Sequence, residues 1–446
     1  MLSHETDAFY NIKKFASQHE DRYREHEHPT NPINLLATSL KAASPVQEAY
    51  YEEAIVDHNA PAAQQKFWKQ RYLINQQYWG GKGYPVFFYN GGETRLSNGP
   101  LGTGSNANQL AQKHKALLVG LEHRYYGQSI PVNDFSVEGL RYLTSEQQLA
   151  DYPSLFAGAV ASSAPLELKS NFFEYNEVVG SSLRYFGGDA CYNRIQQGVV
   201  EFRKLVDGGS ATQSQLQKMF PMCNPIKDVF DLSIYESEIS YPFQTVVQYN
   251  DVSSFQITDL CTYFANETQT PLELLSTFVV DNLSGPCIDS TFEGNSDGLI
   301  EYLKNATQSS TRQWIYQSCN EFGWFQTTTS PNSPFAALKS QTLSAVGLEV
   351  CKRAFNIDVS ITNTVYGGLD LKVENVTFVS GSIDPWSALS VTNATHLNAA
   401  SESAVYIVGT SHTADIYAPG HGDIPALTAA YAKIAANVAK YLGAPQ

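Results

Sequence analysis

At 446 residues the chain is long enough to bury a large core and to divide into two lobes. Its 44 acidic against 29 basic side chains leave a formal net charge of −15, which argues against nucleic acid or an anionic membrane surface as a partner. No apolar stretch is long enough to span a bilayer.

Residues 1–49, polar and carrying Pro29, Pro32 and Pro45, read as a loosely attached N-terminal arm. The start, Met-Leu-Ser-His-Glu-Thr-Asp, has no apolar h-region, so either a leader has been lost from this version of the chain or the protein does not enter the secretory route. Tyr84 to Asn90 reads as a strand that runs into Gly91-Gly92-Glu93, a turn whose backbone N–H groups can face a developing oxyanion with no side chain in the way. Ala116 to Leu121 reads as a second buried strand with a polar end at Glu122-His123-Arg124. Leu143 to Asp151, with Thr and Ser caps, has helical composition. The segment from Tyr152 to Pro165 reads as a helix end followed by another buried strand that closes on Ser162-Ser163-Ala164. From about 167 to 355 the chain is richer in aromatics, cysteines and helical pattern, and is expected to be an inserted helical cap domain. Asn375 to Ser382 is a β-rich run stopping at a Gly-Ser turn just before Asp384-Pro385-Trp386. Ser403 to Val408 repeats the arrangement before Gly409 and His412, and a helix is expected from Asp423 to Leu442.

Two successive strands that each deliver one polar residue at the carboxyl end are how an α/β-hydrolase places the acid and the base of its triad, in the order nucleophile, acid, histidine. Taken singly, Asp384 reads as a cap or turn residue and His412 as a satisfied surface or core group. Paired in this order before a closing helix, they read as the acid and the general base. The serine that should precede them is not evident. Gly127-Gln-Ser129-Ile-Pro131 ends in proline and precedes no apolar helix. Ser162, Ser163 and Ser105 are each explained by turn chemistry.

The chain resembles a family, the serine peptidases that include lysosomal prolyl carboxypeptidase, dipeptidyl peptidase II and thymus-specific serine protease. The residues that carry the resemblance are Val56-Asp57-His58, Phe67 to Tyr72, Gly91-Gly92-Glu93, Glu122 to Gly127, Leu143 to Gln147, Ala161 to Pro165, Trp314 to Gly323, Asp384-Pro385-Trp386 and His412. It implies an α/β-hydrolase sheet formed by 50–166 and 356–446, with the helical cap over 167–355 shaping the substrate pocket and restricting it to chain ends. In that family a strand, a Gly-Gly-Ser-Tyr-type turn with the nucleophile, and a helix lie between the Ser-Glu-Gln helix and the Ser-Ser-Ala-Pro strand. Such a block needs about 30 residues, whereas here Asp151 runs directly into Tyr152.

The resemblance further implies the pairs Cys191–Cys261, Cys223–Cys287 and Cys319–Cys351, of the 15 connectivities that six cysteines allow. Without a Cys-x-x-Cys pair the cysteines point to disulfides and not to zinc, and no metal or other cofactor is expected. With Asn-x-Ser/Thr sequons at Asn266, Asn282, Asn305, Asn375 and Asn393, they favour a secreted or lysosomal/vacuolar setting. The implied activity is serine-type cleavage of peptides near a terminus, after proline or a small apolar residue, with Asp384 and His412 catalytic. Gly91, Gly92, Glu93 and Trp386 are the expected oxyanion and substrate-binding residues. Relatives that bind a free amino terminus carry Asn at the position of Gly92, which sets this chain apart. Without the nucleophile the chain is expected to be inactive as it stands, and its partners to be a peptide and a second copy of the chain. A peptide- or partner-binding pseudoenzyme and an esterase or lipase are the alternatives.

Overall fold

The computed structural model describes residues 44–443 apart from 153–154, 284, 295–297, 306 and 360–362. Most of the expected N-terminal arm, residues 1–43, lies outside the described residues. The chain forms two compact units of mixed helix and sheet.

The first unit comprises the described residues up to Ala159, Ala306–Trp314 and the chain from Asp415 onward. Its sheet contains β1 (Val46–Ile55), β2 (Phe67–Asn75), β3 (Val86–Asn90) and β4 (Leu117–Leu121), in the spatial order β1-β2-β4-β3. β1 with β2 and β2 with β4 pair antiparallel, while β3 and β4 run parallel. Leu73 and Leu118 pack from this sheet with Leu96, Leu101 and Ala111, the last on helix α1 (Asn106–His114). α1 starts where Ser105 Oγ accepts the Asn108 N–H at 3.1 Å, so that Ser105 is a capping residue. Helix α2 (Ser145–Ala150) starts in the same way, with Thr144 Oγ1 accepting the Gln147 N–H at 3.3 Å.

A buried ion-pair network fixes the end of α2. Arg124, with no exposed surface, donates from Nε to Asp151 Oδ2 at 2.8 Å and from Nη2 to Asp151 Oδ1 at 2.7 Å. His58 Nε2 lies 2.8 Å from the same Oδ1. Tyr152, next in the chain, bonds the Asn90 side chain through its hydroxyl and meets the Phe88 ring edge-on at 5.4 Å. The chain is therefore pinned up to the Asp151–Tyr152 junction. β3 is an edge of its sheet, with Val86 57 % exposed, and just past the junction Leu155 and Phe156 are exposed.

The second unit comprises Val160–Asn305 and Ile315–Ala414. Its three-stranded sheet has the order β5 (Ala159–Ser162), β8 (Val376–Gly381), β9 (Ser403–Ile407), and β8 runs parallel to β9. A two-stranded parallel sheet joins β6 (Lys169–Asn171) to β7 (Gly323–Phe325). The expected buried strand before Ser162 is a strand but is not buried: β5 is the edge of its sheet, and Val160 is 38 % exposed. Apolar residues on an unpaired strand keep one side in solvent, which a sequence pattern cannot distinguish from a strand with neighbours on both sides.

The helices α3 (Glu174–Asp207), α4 (Val229–Gln248), α5 (Ile257–Phe264) and α6 (Pro271–Asp281) fill the middle of this unit. Phe243 on α4 anchors their shared core, with Phe264 on α5 at 5.6 Å and Phe278 on α6 at 4.9 Å. α3 is broken at Gly188, where φ is 64°, a left-handed value that costs glycine little. The three disulfides are Cys191–Cys261, Cys223–Cys287 and Cys319–Cys351, the pairs that the resemblance implies. The first fastens α3 to α5.

Candidate active site

Asp384 and His412 come together within the second unit. β8 ends at Gly381, and the chain turns so that Asp384 caps the short 3-10 helix Pro385–Leu389, its Oδ1 accepting the Trp386 N–H at 3.0 Å. That bond leaves Oδ2 to face the histidine, and His412 Nδ1–H donates to it at 3.0 Å. The carboxylate is fully buried, while the imidazole is 15 % exposed. Burial of the acid beside a partly open ring makes Nδ1 the protonated nitrogen and directs the Nε2 lone pair outward, the tautomer a general base requires. No described residue makes a hydrogen bond to Nε2.

Trp386 closes one side of the pair. Its indole is buried, lies 6.4 Å from the His412 ring, and is enclosed by Phe172 at 5.5 Å, Trp324 at 5.4 Å and Tyr175 at 6.1 Å. Indole N–H groups only donate, so the acceptor beside Nε1 fixes the orientation of the neighbouring amide: Gln248 Oε1 accepts from Trp386 Nε1 at 3.1 Å and from the Tyr175 hydroxyl at 2.5 Å. Gln248 also accepts the His412 N–H on its main-chain oxygen at 3.0 Å, and its Nε2 is buried without a partner. Burial pushes the Tyr175 hydroxyl well above its ordinary pKa, so that it remains a donor. Gln248 carries no local signal in the sequence, since it sits at the end of α4, far along the chain from either strand and within no motif.

The glycine turn belongs to the first unit. Gly91 donates its N–H to Leu121 O at 2.8 Å, so that group is already used inside the fold. A Cβ there would stand 2.7 Å from the same Leu121 oxygen, which is why only glycine fits. Gly92 and Glu93 are exposed, and a Cβ on Gly92 would meet nothing within 4 Å. Of the two expected oxyanion donors, the Gly92 N–H is the one without an acceptor among the described residues.

The hydroxyls of Ser105, Ser129 and Ser163 are each engaged within the fold. Ser129 is buried, donating to Glu122 Oε2 at 2.8 Å and accepting the Arg71 N–H at 3.0 Å. Ser163, at φ 48°, accepts the Thr413 N–H on Oγ at 2.8 Å.

A carboxylate-backed histidine with an unbonded outer nitrogen, on the turns that follow two consecutive parallel strands, is the arrangement that hydrolases use for acid–base work. The profile of the family described as Serine carboxypeptidase S28 matches residues 55–152 and 150–434, and the chain belongs to that family, which is of α/β-hydrolase type. It is 29 % identical over 419 residues to thymus-specific serine protease of Homo sapiens, covering 80 % of each chain. It is 28 % identical over 458 residues to the Mus musculus protein of the same name, covering 89 % of this chain and 87 % of that one. It is 27 % identical over 426 residues to lysosomal Pro-X carboxypeptidase of Homo sapiens, covering 82 % of each. Among the described residues no helix is long and apolar enough to cross a membrane.

Proposed function

We propose that this chain is a serine peptidase of the S28 family from which the nucleophile-bearing segment is missing, and that as it stands it does not carry out serine-dependent hydrolysis. The observation that carries this reading is the break at Asp151–Tyr152. The family match falls in two pieces that meet there, and a strand-turn-helix block needs about 30 residues that the junction does not contain.

With such a block in place the chemistry is acyl transfer. The serine Oγ attacks the peptide carbonyl as its proton passes to His412 Nε2, and Asp384 holds Nδ1–H and stabilises the imidazolium. Nε2 then returns the proton to the departing amine, and a water repeats the cycle on the ester. Trp386 packs beside the imidazole and supports its placement. The helices between 167 and 355 form the cap that confines cleavage to chain ends. The name of the Pro-X carboxypeptidase supports proline-containing peptides as the substrate class, and the disulfides support a secreted or lysosomal setting.

Two measurements test the reading. Incubation of the purified chain with a proline-containing peptide should release no product, and hydrolysis above background that a serine-directed inhibitor abolishes overturns it. Transcripts sequenced across the codons for Glu146 to Ser163 should include an in-frame form that encodes a Gly-x-Ser-x-Gly turn. If every transcript joins Asp151 directly to Tyr152, the chain is a non-catalytic binder of peptides.

A further inference from the structure

His412 lies beyond the end of β9, in a loop where Gly409 and Thr413 both adopt positive φ, so no strand ladder fixes it. Its position comes from three consecutive backbone N–H groups, each taken by a different element. The Ser411 N–H donates to Asp251 Oδ2 at 2.6 Å, the His412 N–H to Gln248 O at 3.0 Å, and the Thr413 N–H to Ser163 Oγ at 2.8 Å. The first of these is reciprocal: the Asp251 N–H donates to Ser411 Oγ at 3.1 Å, closing a pair between residues 160 positions apart. Asn250 supports the carboxylate by donating from Nδ2 to Asp251 Oδ1 at 3.1 Å, and is itself held where its Oδ1 accepts the Ile257 N–H at the start of α5, at 2.9 Å. Asp251 is exposed as a residue, yet its carboxylate is turned onto the loop. Loss of water there pushes its pKa up, the bonds from Ser411 and Asn250 work against the rise, and the charge of Asp384 adds to it.

We propose that Asp251 is a positioning residue for the acid–base pair: by clamping Ser411 it holds the neighbouring imidazole on Asp384. The proposal rests on the reading of Asp384–His412 as two members of a catalytic triad. A flexible loop can carry an imidazole within reach of a carboxylate, but a fixed Nδ1–Oδ2 bond needs the backbone on which the ring hangs to be immobile, because misplacement of the ring by an ångström removes it from hydrogen-bonding range. Gln248 O and Ser163 Oγ fix the two following N–H groups. Asp251 is the only one of the three partners that is charged and binds the loop in both directions.

The test follows the His412 Nδ1 proton by NMR in the full chain labelled with 15N-histidine, the signal being assigned through its absence in His412→Gln. The native chain should show this proton downfield and slow to exchange. Asp251→Ala should lose it to solvent exchange, and Asp251→Asn, which keeps an acceptor oxygen for the Ser411 N–H, should restore it. Ser411→Ala removes only the return half of the pair and should weaken the signal without abolishing it. A role in folding alone would lower the melting temperature of Asp251→Ala and leave the His412 signal intact, which overturns the proposal, as does an Asp251→Asn variant as deficient as Asp251→Ala. Should Asp251→Ala fail to fold, Ser411→Ala decides, an unchanged signal counting against the clamp. A native chain without the downfield signal refutes the acid–base reading itself, and the clamp with it.

Discussion

Replacing Asp151 by alanine is expected to destabilise the first unit by about 3 kcal/mol. Asp151 is 1 % exposed and Arg124 not at all, so the substitution strands a guanidinium in the interior. Breaking a buried pair by removing one partner typically costs about 3–5 kcal/mol. The low end applies here, because Arg124 keeps the carbonyl oxygens of Val56, Ile55 and Tyr142, at 3.2, 3.1 and 3.0 Å, as acceptors. Asp151→Asn retains one acceptor oxygen and should lose about 2 kcal/mol, less than the full pair because a neutral amide forgoes the charge-assisted part. Urea unfolding followed by far-ultraviolet circular dichroism at neutral pH reads both values, provided that the m-value is unchanged. A loss below about 1 kcal/mol for Asp151→Ala would show that water reaches Arg124, and that the junction with Tyr152 is not anchored as described.

Acidification should destabilise the protein through His123. Burial pushes its pKa from 6.5 to about 4, so the folded state keeps it neutral while the unfolded chain takes up a proton. The folded pKa is the lower one, so the contribution is complete above about pH 6.5 and is lost as the pH falls towards 4, by about 3 kcal/mol in total. His123→Asn, which has no proton to gain, should lose that much less stability between pH 7.5 and pH 4 in urea titrations, and equal losses in both proteins would contradict the assignment. Removing the Cys191–Cys261 bridge, whose ends are 70 residues apart, by the double substitution Cys191→Ser and Cys261→Ser should lower unfolding stability by about 4 kcal/mol, read by the same titration. Gly91→Ala should cost more than about 1 kcal/mol because its Cβ meets Leu121 O, whereas Gly92→Ala should stay within about 0.5 kcal/mol. Equal melting temperatures for these two alanine variants would refute the close approach at Gly91.

The two strands that deliver Asp384 and His412 were legible because each is a short apolar run stopped by glycine with one polar residue beyond it, a pattern written locally. Helix α2 was legible through its threonine cap, and the C-terminal helix, expected from Asp423 to Leu442, spans Pro425–Tyr441. The disulfides were legible only through resemblance, since spacing leaves every pairing open. Three features were out of reach. β5 was expected to be buried, since its neighbours in the sheet cannot be read from Ala159–Ser162. The commitment of the Gly91 N–H to Leu121 O depends on how β3 and β4 end, and not on the Gly-Gly pair. Gln248 and Asp251 act through a helix end about which the motifs of the site say nothing, so only the folded chain brings them to His412.

The outer nitrogen of His412 has chemistry of its own. An imidazole whose far side is hydrogen-bonded to a buried carboxylate is an oriented nucleophile with one face towards solvent. Alkylating and acylating electrophiles that choose histidine therefore have a prepared target in this protein. Organophosphorus probes, which report activated hydroxyl groups, have no counterpart for it under the proposed function. On that proposal a proteome-wide labelling survey built on serine reactivity would pass this chain by, while one built on imidazole reactivity would group it with the hydrolases whose framework it shares.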